Sequence, residues 1–386
     1  MLFSSYIFLF FFLPVVLLGY YALGCVHWRM ATKWLTLSSL VFYGWWNPES
    51  NEAWSPFFLI LIVCSCAINF GCGNLLTIVK LHSTKKLLVT LGVAMNIGLL
   101  LYYKYTGLFA VWSQALSGWP TDIPHFVMPL AVSFFTFLQI AFLVDVYRGD
   151  KTGYSFWDYL LFVTFFPHLI AGPLVHHREL ISQFRPEITR IKYKYIGIGL
   201  TLLILGLFKK VVLADNLATV VNPIFSFAAE GSRALTFGEA WAGGLAYTFQ
   251  LYFDFSGYSD MAIGLSYLFG LRLPLNFNSP YKATSIVDFW RRWHMTLSRF
   301  LRRQPKGKDP PLHESHDHHA PGGAVAWCRS HLCALGRASR PLFVHQPRLG
   351  QLPKPDALVA DAQILRYTAD LFYDRPHLGA FSGGNL

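Results

Sequence analysis

Charge is scarce in this chain of 386 residues. Asp, Glu, Lys and Arg together make up 14% of it, while 54% is hydrophobic and 17% aromatic. Soluble domains carry about 25% charge, so an ordinary soluble domain is excluded. Length then stops being a guide to domain number, because a polytopic membrane protein spreads its apolar surface over spans. Acidic residues are scarcer than basic ones, 21 against 32, for a net charge of +11. In a chain this apolar the excess fits Lys and Arg retained at the cytoplasmic face, and no nucleic-acid partner is expected. Cysteine is limited to six residues without tandem C-x-x-C spacing. They read as small hydrophobes, neither disulfides nor zinc ligands. No Lys, Arg, Asp or Glu precedes Arg29. A cleaved signal peptide would begin with a basic residue, so Leu2 to Leu23 reads as a first membrane span.

Further apolar runs fall at about 34–47, 56–75, 87–103, 127–144, 195–214 and 238–270, with weaker stretches at 106–119 and 157–175. Loop charges assign the sides. Arg29 and Lys33 follow the first span, Glu49 and Glu52 the second, and Lys80, Lys85 and Lys86 the third. Keeping Lys and Arg inside puts the N-terminus outside, with Lys104 the one exception. Arg148 and Lys151 also fall inside. A full crossing by 157–175 would then strand Arg178, Arg185, Arg190, Lys192 and Lys194 outside. The same stretch holds Pro167, Gly172 and Pro173, which break helices. A re-entrant segment that dips in and returns is therefore expected. It leaves Arg272, Lys282, Arg291, Arg292, Arg299, Arg302 and Arg303 inside.

The last 83 residues lack what the first 303 have. Residues 304–386 contain no uncharged run of the ~18 residues a span needs. They hold 7 of the 14 His and 9 of the 21 Pro. Their cluster His313, His316, His318 and His319 has spacings open to zinc, but its Pro- and Gly-flanked setting argues against a site, and no metal is expected.

A few polar residues stand where lipid would not choose them. Asp254 and Asp260 interrupt the run Gln250-Leu251-Tyr252-Phe253-Asp254-Phe255-Ser256-Gly257-Tyr258-Ser259-Asp260-Met261. A charge at the bilayer centre costs roughly 2.5 kcal/mol or more, so these carboxylates either face a cavity or pin helix ends against backbone N–H groups or a basic partner. Asn276 and Asn278 lie in a polar turn, Leu275-Asn276-Phe277-Asn278-Ser279-Pro280-Tyr281. After it comes Asp288-Phe289-Trp290-Arg291-Arg292-Trp293-His294-Met295-Thr296-Leu297-Ser298. Drawn as one helix, Trp290, Trp293 and Leu297 form a stripe, Arg291, Met295 and Ser298 share another face, and His294 sits between them. Trp and Arg at this spacing suit a helix on the membrane surface. His294 is either an interfacial His bonded to a backbone carbonyl or a general base. His168, on the expected re-entrant segment, is a packed His or a cavity residue. Lys209 and Lys210, at the end of a span, are expected to snorkel to headgroups.

These motifs, with Phe42-Tyr43-Gly44-Trp45-Trp46, Ser133-Phe134-Phe135-Thr136-Phe137 and Phe166-Pro167-His168-Leu169-Ile170-Ala171-Gly172-Pro173, resemble the membrane-bound O-acyltransferase family over residues 1–303. The branch of alginate O-acetylation is the most similar, and that of teichoic-acid D-alanylation more distant. The resemblance implies an all-α polytopic membrane protein: a ring of tilted transmembrane helices with re-entrant pieces around a central tunnel. An acetyl group would pass from a cytoplasmic thioester, acetyl-CoA, toward an extracytoplasmic polysaccharide, alginate first. No bound cofactor is implied. Extracytoplasmic polysaccharide acetyltransferases and membrane lipid would be the partners, and a bacterial inner membrane the location. His294 would be the first of two functional histidines. Asp254, Asp260, Asn276, Asn278, Trp290, Arg291 and His168 would line or support the tunnel. The family's second His lies in a Trp-His-Gly motif, and this sequence contains none. Its absence coincides with the compositional break near 303, as a frameshift there would produce; a genuine soluble or disordered tail over 304–386 is the alternative. Two other readings stand beside the enzyme: a transporter or channel using the intramembrane Asp residues, and an inactive truncated transferase.

Overall fold

A computed structural model describes residues 2–45, 56–117, 129–150, 153–230 and 234–302. The tail 304–386, with its His cluster, Cys328 and Cys333, lies outside the described residues, as do Trp46, Glu49, Glu52, Lys151 and Arg303. The described residues are helical and contain no strand. In chain order the helices are α1 (Leu13–Val26, led in by the π-turn Phe8–Phe12), α2 (Trp28–Gly44), α3 (Pro56–Ile78), α4 (His82–Ser117) and α5 (Val132–Tyr147). There follow α6 (Phe156–Thr164), α7 (Phe166–Leu169), α8 (His177–Ile181), α9 (Tyr193–Leu207), α10 (Asp215–Glu230), α11 (Phe237–Leu268), α12 (Ile286–Arg292) and α13 (Met295–Arg302). Among the described residues, four stretches are long and apolar enough to cross a bilayer: Phe8–Val26, Phe57–Ile78, His82–Gly107 and Tyr193–Glu230. The chain is thus an all-α polytopic membrane protein. Where two apolar runs are expected at 87–103 and 106–119, one continuous α4 forms instead, because nothing between them breaks a helix.

Two compact units divide the described residues. The first holds the described residues up to Val221 and Gly244–Pro274; the second holds those of Asn222–Gly243 and residues 275–302.

In the first unit the stretch 157–175 makes no single helix. Ser155 caps α6 through a reciprocal box with Asp158, satisfying N–H groups that the first turn leaves open. Phe165 ends α6, and the short α7 follows with Pro167 in its first turn. At Gly172 a Cβ would fall 2.4 Å from the Cα of His168, so only glycine fits. The core beside α7 is aromatic: Phe3, Phe8, Phe12, Phe42, Phe166 and Phe269 are all buried, with Phe12 and Phe166 edge to face at 5.6 Å. Tyr20 and Tyr21 donate to the carbonyls of Phe269 and Leu268 at 3.1 and 2.6 Å. They satisfy the end of α11, which Gly270 terminates in a left-handed conformation.

Polar side chains join α3, α4 and α5. Ser65 donates to Gln139 Oε1 at 2.7 Å and Asn69 to the same oxygen at 2.8 Å. Asn96 donates to Asn69 Oδ1 at 2.7 Å. Buried amides that satisfy one another in this way hold helices together where lipid removes the hydrophobic drive.

Helices α9 and α11 meet backbone to backbone. A Cβ on Gly206 would lie 2.6 Å from the carbonyl oxygen of Gly257, and one on Gly264 2.6 Å from that of Gly199. Both glycine pairs are seven residues apart in their helices, two turns, so they recur on one face of an antiparallel crossing.

Candidate active site

Sequence reasoning draws one helix through Asp288–Ser298. The structure breaks it at His294, which takes a left-handed φ of +43° between α12 and α13. The faces expected of a continuous helix therefore do not form. The break is held from the polar turn upstream. Met295 N donates to the Asn276 carbonyl at 2.8 Å, and Asn278 N to the Arg292 carbonyl at 2.9 Å. Asn276 Oδ1 lies 3.0 Å from His294 Nδ1 and 2.9 Å from the Thr296 hydroxyl, with Thr296 N at 3.4 Å. Asn276 thereby serves α13 as an N-cap would, from 20 residues away. Ser298 Oγ donates to the Trp290 carbonyl at 3.2 Å, closing the two short helices on each other.

An aromatic wall backs this turn. Trp293 meets the edge of Phe277 at 5.0 Å and stacks on Phe289 at 5.6 Å. Arg292 bonds Asp288 one turn away at 2.9 Å. Trp290 and Arg291 are exposed. Asn276 is 1% exposed and Thr296 2%. His294 is half-buried, and that burial pushes its pKa from 6.5 down to about 4. Its imidazole is therefore neutral at pH 7 and able to take a proton.

Of the sequence candidates, Asn276 bonds the His294 ring directly. Asn278 acts through its backbone, Trp290 through its carbonyl. Thr296 escaped sequence reasoning because its role depends on the break at His294. Arg291 stays exposed on α12 in the second unit, and Asp254, Asp260 and His168 belong to the first unit. Asp260 pairs with Lys209 at 2.5 Å, and Asp254 with Lys210 at 2.8 Å. Lys210 also reaches Asp215 at 2.9 Å. The two lysines thus hold carboxylates, where snorkelling is expected of them, and the Asp residues are pinned by a basic partner on the neighbouring helix. His168 is fully buried, its Nε2 3.1 Å from the Phe162 carbonyl. His177, beside Asp145 at 3.8 Å, is 1% exposed; burial pushes its pKa down to about 4, the carboxylate opposing. No group of three or more His, Cys, Asp or Glu among the described residues is placed to hold a metal ion.

The motifs that frame the His294 turn are also where known proteins match. Residues 144–304 match the model of MBOAT, membrane-bound O-acyltransferase family. Over this stretch the chain is similar to that family. The family match contains the broken α6–α7 segment, the α9–α11 crossing and the whole His294 turn, and it stops at the compositional break. "Peptidoglycan O-acetyltransferase" of Helicobacter pylori is 41% identical over 335 residues, 78% of this chain and 60% of that one. "Probable alginate O-acetylase AlgI" of Pseudomonas aeruginosa is 40% identical over 310 residues, again 78% of this chain and 56% of its own length. "Teichoic acid D-alanyltransferase" of Bacillus subtilis is 28% identical over 200 residues, 50% of this chain and 48% of its own. The chain thus spans 60% or less of these three relatives.

Proposed function

We propose that the chain is a membrane O-acyltransferase that moves acetyl groups from a cytoplasmic thioester, acetyl-CoA, toward an extracytoplasmic polysaccharide. The observation that carries this reading is the half-buried imidazole of His294, held by Asn276 beside an aromatic wall. A neutral imidazole can take the proton of an attacking hydroxyl, and a dry surrounding spares the thioester from hydrolysis. Alginate and peptidoglycan are both supported as acceptor, by relatives of nearly equal identity. The N-terminus lies outside a bacterial inner membrane, and the broken α6–α7 segment dips into it and returns on the same side. An extracytoplasmic polysaccharide acetyltransferase receives the acetyl group.

The test uses the protein in lipid vesicles with labelled acetyl-CoA and, separately, alginate and peptidoglycan glycan strands. His294→Ala is expected to lower acetyl transfer by roughly 10²-fold or more. Unchanged transfer would refute the role of His294, and the acceptor that gains label decides between the two polysaccharides. The missing Trp-His-Gly sequence favours a second reading, in which the chain keeps the family fold up to residue 303 and transfers nothing. A wild type inactive beside a full-length relative would establish it. Translation of the gene's other two frames after codon 303 tests the frameshift directly: a Trp-His-Gly helix in neither frame excludes it.

A further inference from the structure

We propose that Asn276 is the positioning residue for His294: its side-chain carbonyl holds the imidazole as the Nδ1–H tautomer and so presents the lone pair of Nε2 to the reaction. The inference rests on the reading of His294 as a base and names the group that sets which of its nitrogens is the base.

The identity of the Asn276 atom comes first. A backbone N–H can only donate, and Thr296 N points at this atom from 3.4 Å. The atom is therefore the amide oxygen. Turning the amide over would aim its NH2 at that N–H and at the buried Thr296 hydroxyl, which at 2.9 Å has this oxygen as its near acceptor. An oxygen at 3.0 Å from His294 Nδ1 requires the proton on Nδ1. Nε2 is then the acceptor nitrogen of the neutral ring.

The contacts of Asn276 converge on this ring. Asn276 offers two oxygens to three successive residues: its main-chain carbonyl takes Met295 N at 2.8 Å, and its side chain takes Thr296 and His294. These bonds surround His294 in its left-handed conformation between the two helices. Left-handed non-glycine residues persist where the surroundings over-determine them. A free neutral imidazole side chain prefers its proton on Nε2, so Asn276 reverses the intrinsic preference. Without it the ring would turn a proton, in place of a lone pair, toward the acceptor hydroxyl.

The decisive measurement is the 15N spectrum of [15N-His]-labelled full chain in lipid bilayers at pH 7, with the His294 signals assigned by their loss in His294→Gln. Wild type should show a protonated Nδ1 and an unprotonated Nε2. Asn276→Ala should move the proton to Nε2, and Asn276→Asp, which keeps an acceptor oxygen, should leave it on Nδ1. Thr296→Val keeps Asn276 and removes only the competing hydroxyl; it should leave the tautomer alone and serves if Asn276→Ala fails to fold. An unprotonated Nδ1 in wild type, or a tautomer reversed equally by Thr296→Val, overturns the proposal. In acetyl transfer, Asn276→Ala should lower kcat roughly tenfold or more at nearly constant KM for acetyl-CoA. Asn276→Asp should restore much of it, with the acidic limb of the pH profile displaced upward by the added carboxylate. An active enzyme whose kcat and pH profile ignore Asn276→Ala also overturns it. If no form transfers acetyl, the functional reading fails while the tautomer result still decides the role of Asn276.

Discussion

Replacing His294 by glycine and by alanine separates what its backbone costs from what its ring does. Both variants lose the imidazole and its bond to Asn276, which is worth about 1 kcal/mol. They differ in one respect, whether residue 294 carries a Cβ at a φ of +43°. An L-residue in the left-handed region pays roughly 1–2 kcal/mol that glycine does not. In an ordinary helix interior the order is the reverse, with glycine about 1 kcal/mol worse than alanine. The structure therefore predicts an inversion: His294→Gly more stable than His294→Ala by about 1 kcal/mol, and close to wild type because relief of strain offsets the lost bond. Reversible unfolding in mixed micelles with increasing SDS, followed by tryptophan fluorescence and far-UV circular dichroism, measures the difference. His294→Ala equal to or more stable than His294→Gly would mean that α12 and α13 run on as one helix, and the account of the Asn276 clamp would fail with it.

Three further outcomes follow from other parts of the molecule. His294 and His177 are both held below their unfolded pKa of 6.5, at about 4, so the unfolded chain binds more protons between those values. Stability should rise with pH from about 4 to 6.5 and level off above, and His294→Gln should flatten that slope in unfolding midpoints taken across the range. Gly206→Ala forces a methyl against the Gly257 carbonyl and should cost roughly 1–3 kcal/mol in the same assay, whereas Gly197→Ala, with open space at its Cβ, should cost little. Lys209→Met leaves Asp260 without its 2.5 Å partner and should lower stability, while adding Asp260→Asn should recover most of the loss; a double variant as unstable as the single would show that the pair is not the source.

Spans were the most legible part of the sequence, because twenty apolar residues in a row have few alternatives. The runs expected at 2–23, 56–75 and 195–214 coincide with Phe8–Val26, Phe57–Ile78 and the first part of Tyr193–Glu230. The stretch 157–175 was legible as broken, since Pro167, Gly172 and Pro173 each punctuate a helix. His294 was legible as a residue but not as a conformation. Its Trp-His-Met-Thr surroundings have ordinary helical spacing, and the signal that splits them is Asn276, a residue 18 positions upstream whose pairing needs the folded turn. The Lys209–Asp260 and Lys210–Asp254 pairs were hidden for a similar reason. Which cation meets which carboxylate follows from the antiparallel register of α9 and α11, and four glycines set that register. Their seven-residue spacing was visible in the sequence, but no pattern of apolar residues says which glycines face each other.

The glycine crossing also decides where this chain can gain or lose residues. One residue inserted between Gly199 and Gly206, or between Gly257 and Gly264, turns everything beyond it by 100°. One glycine of the pair would leave the contact, and the salt bridges of Lys209 and Lys210 would lose their register with it. Homologous genes should therefore show no single-residue gaps across 199–210 and 254–264, and should confine length variation to the connections between helices. The same stretches are where an epitope tag or a protease site is least tolerated.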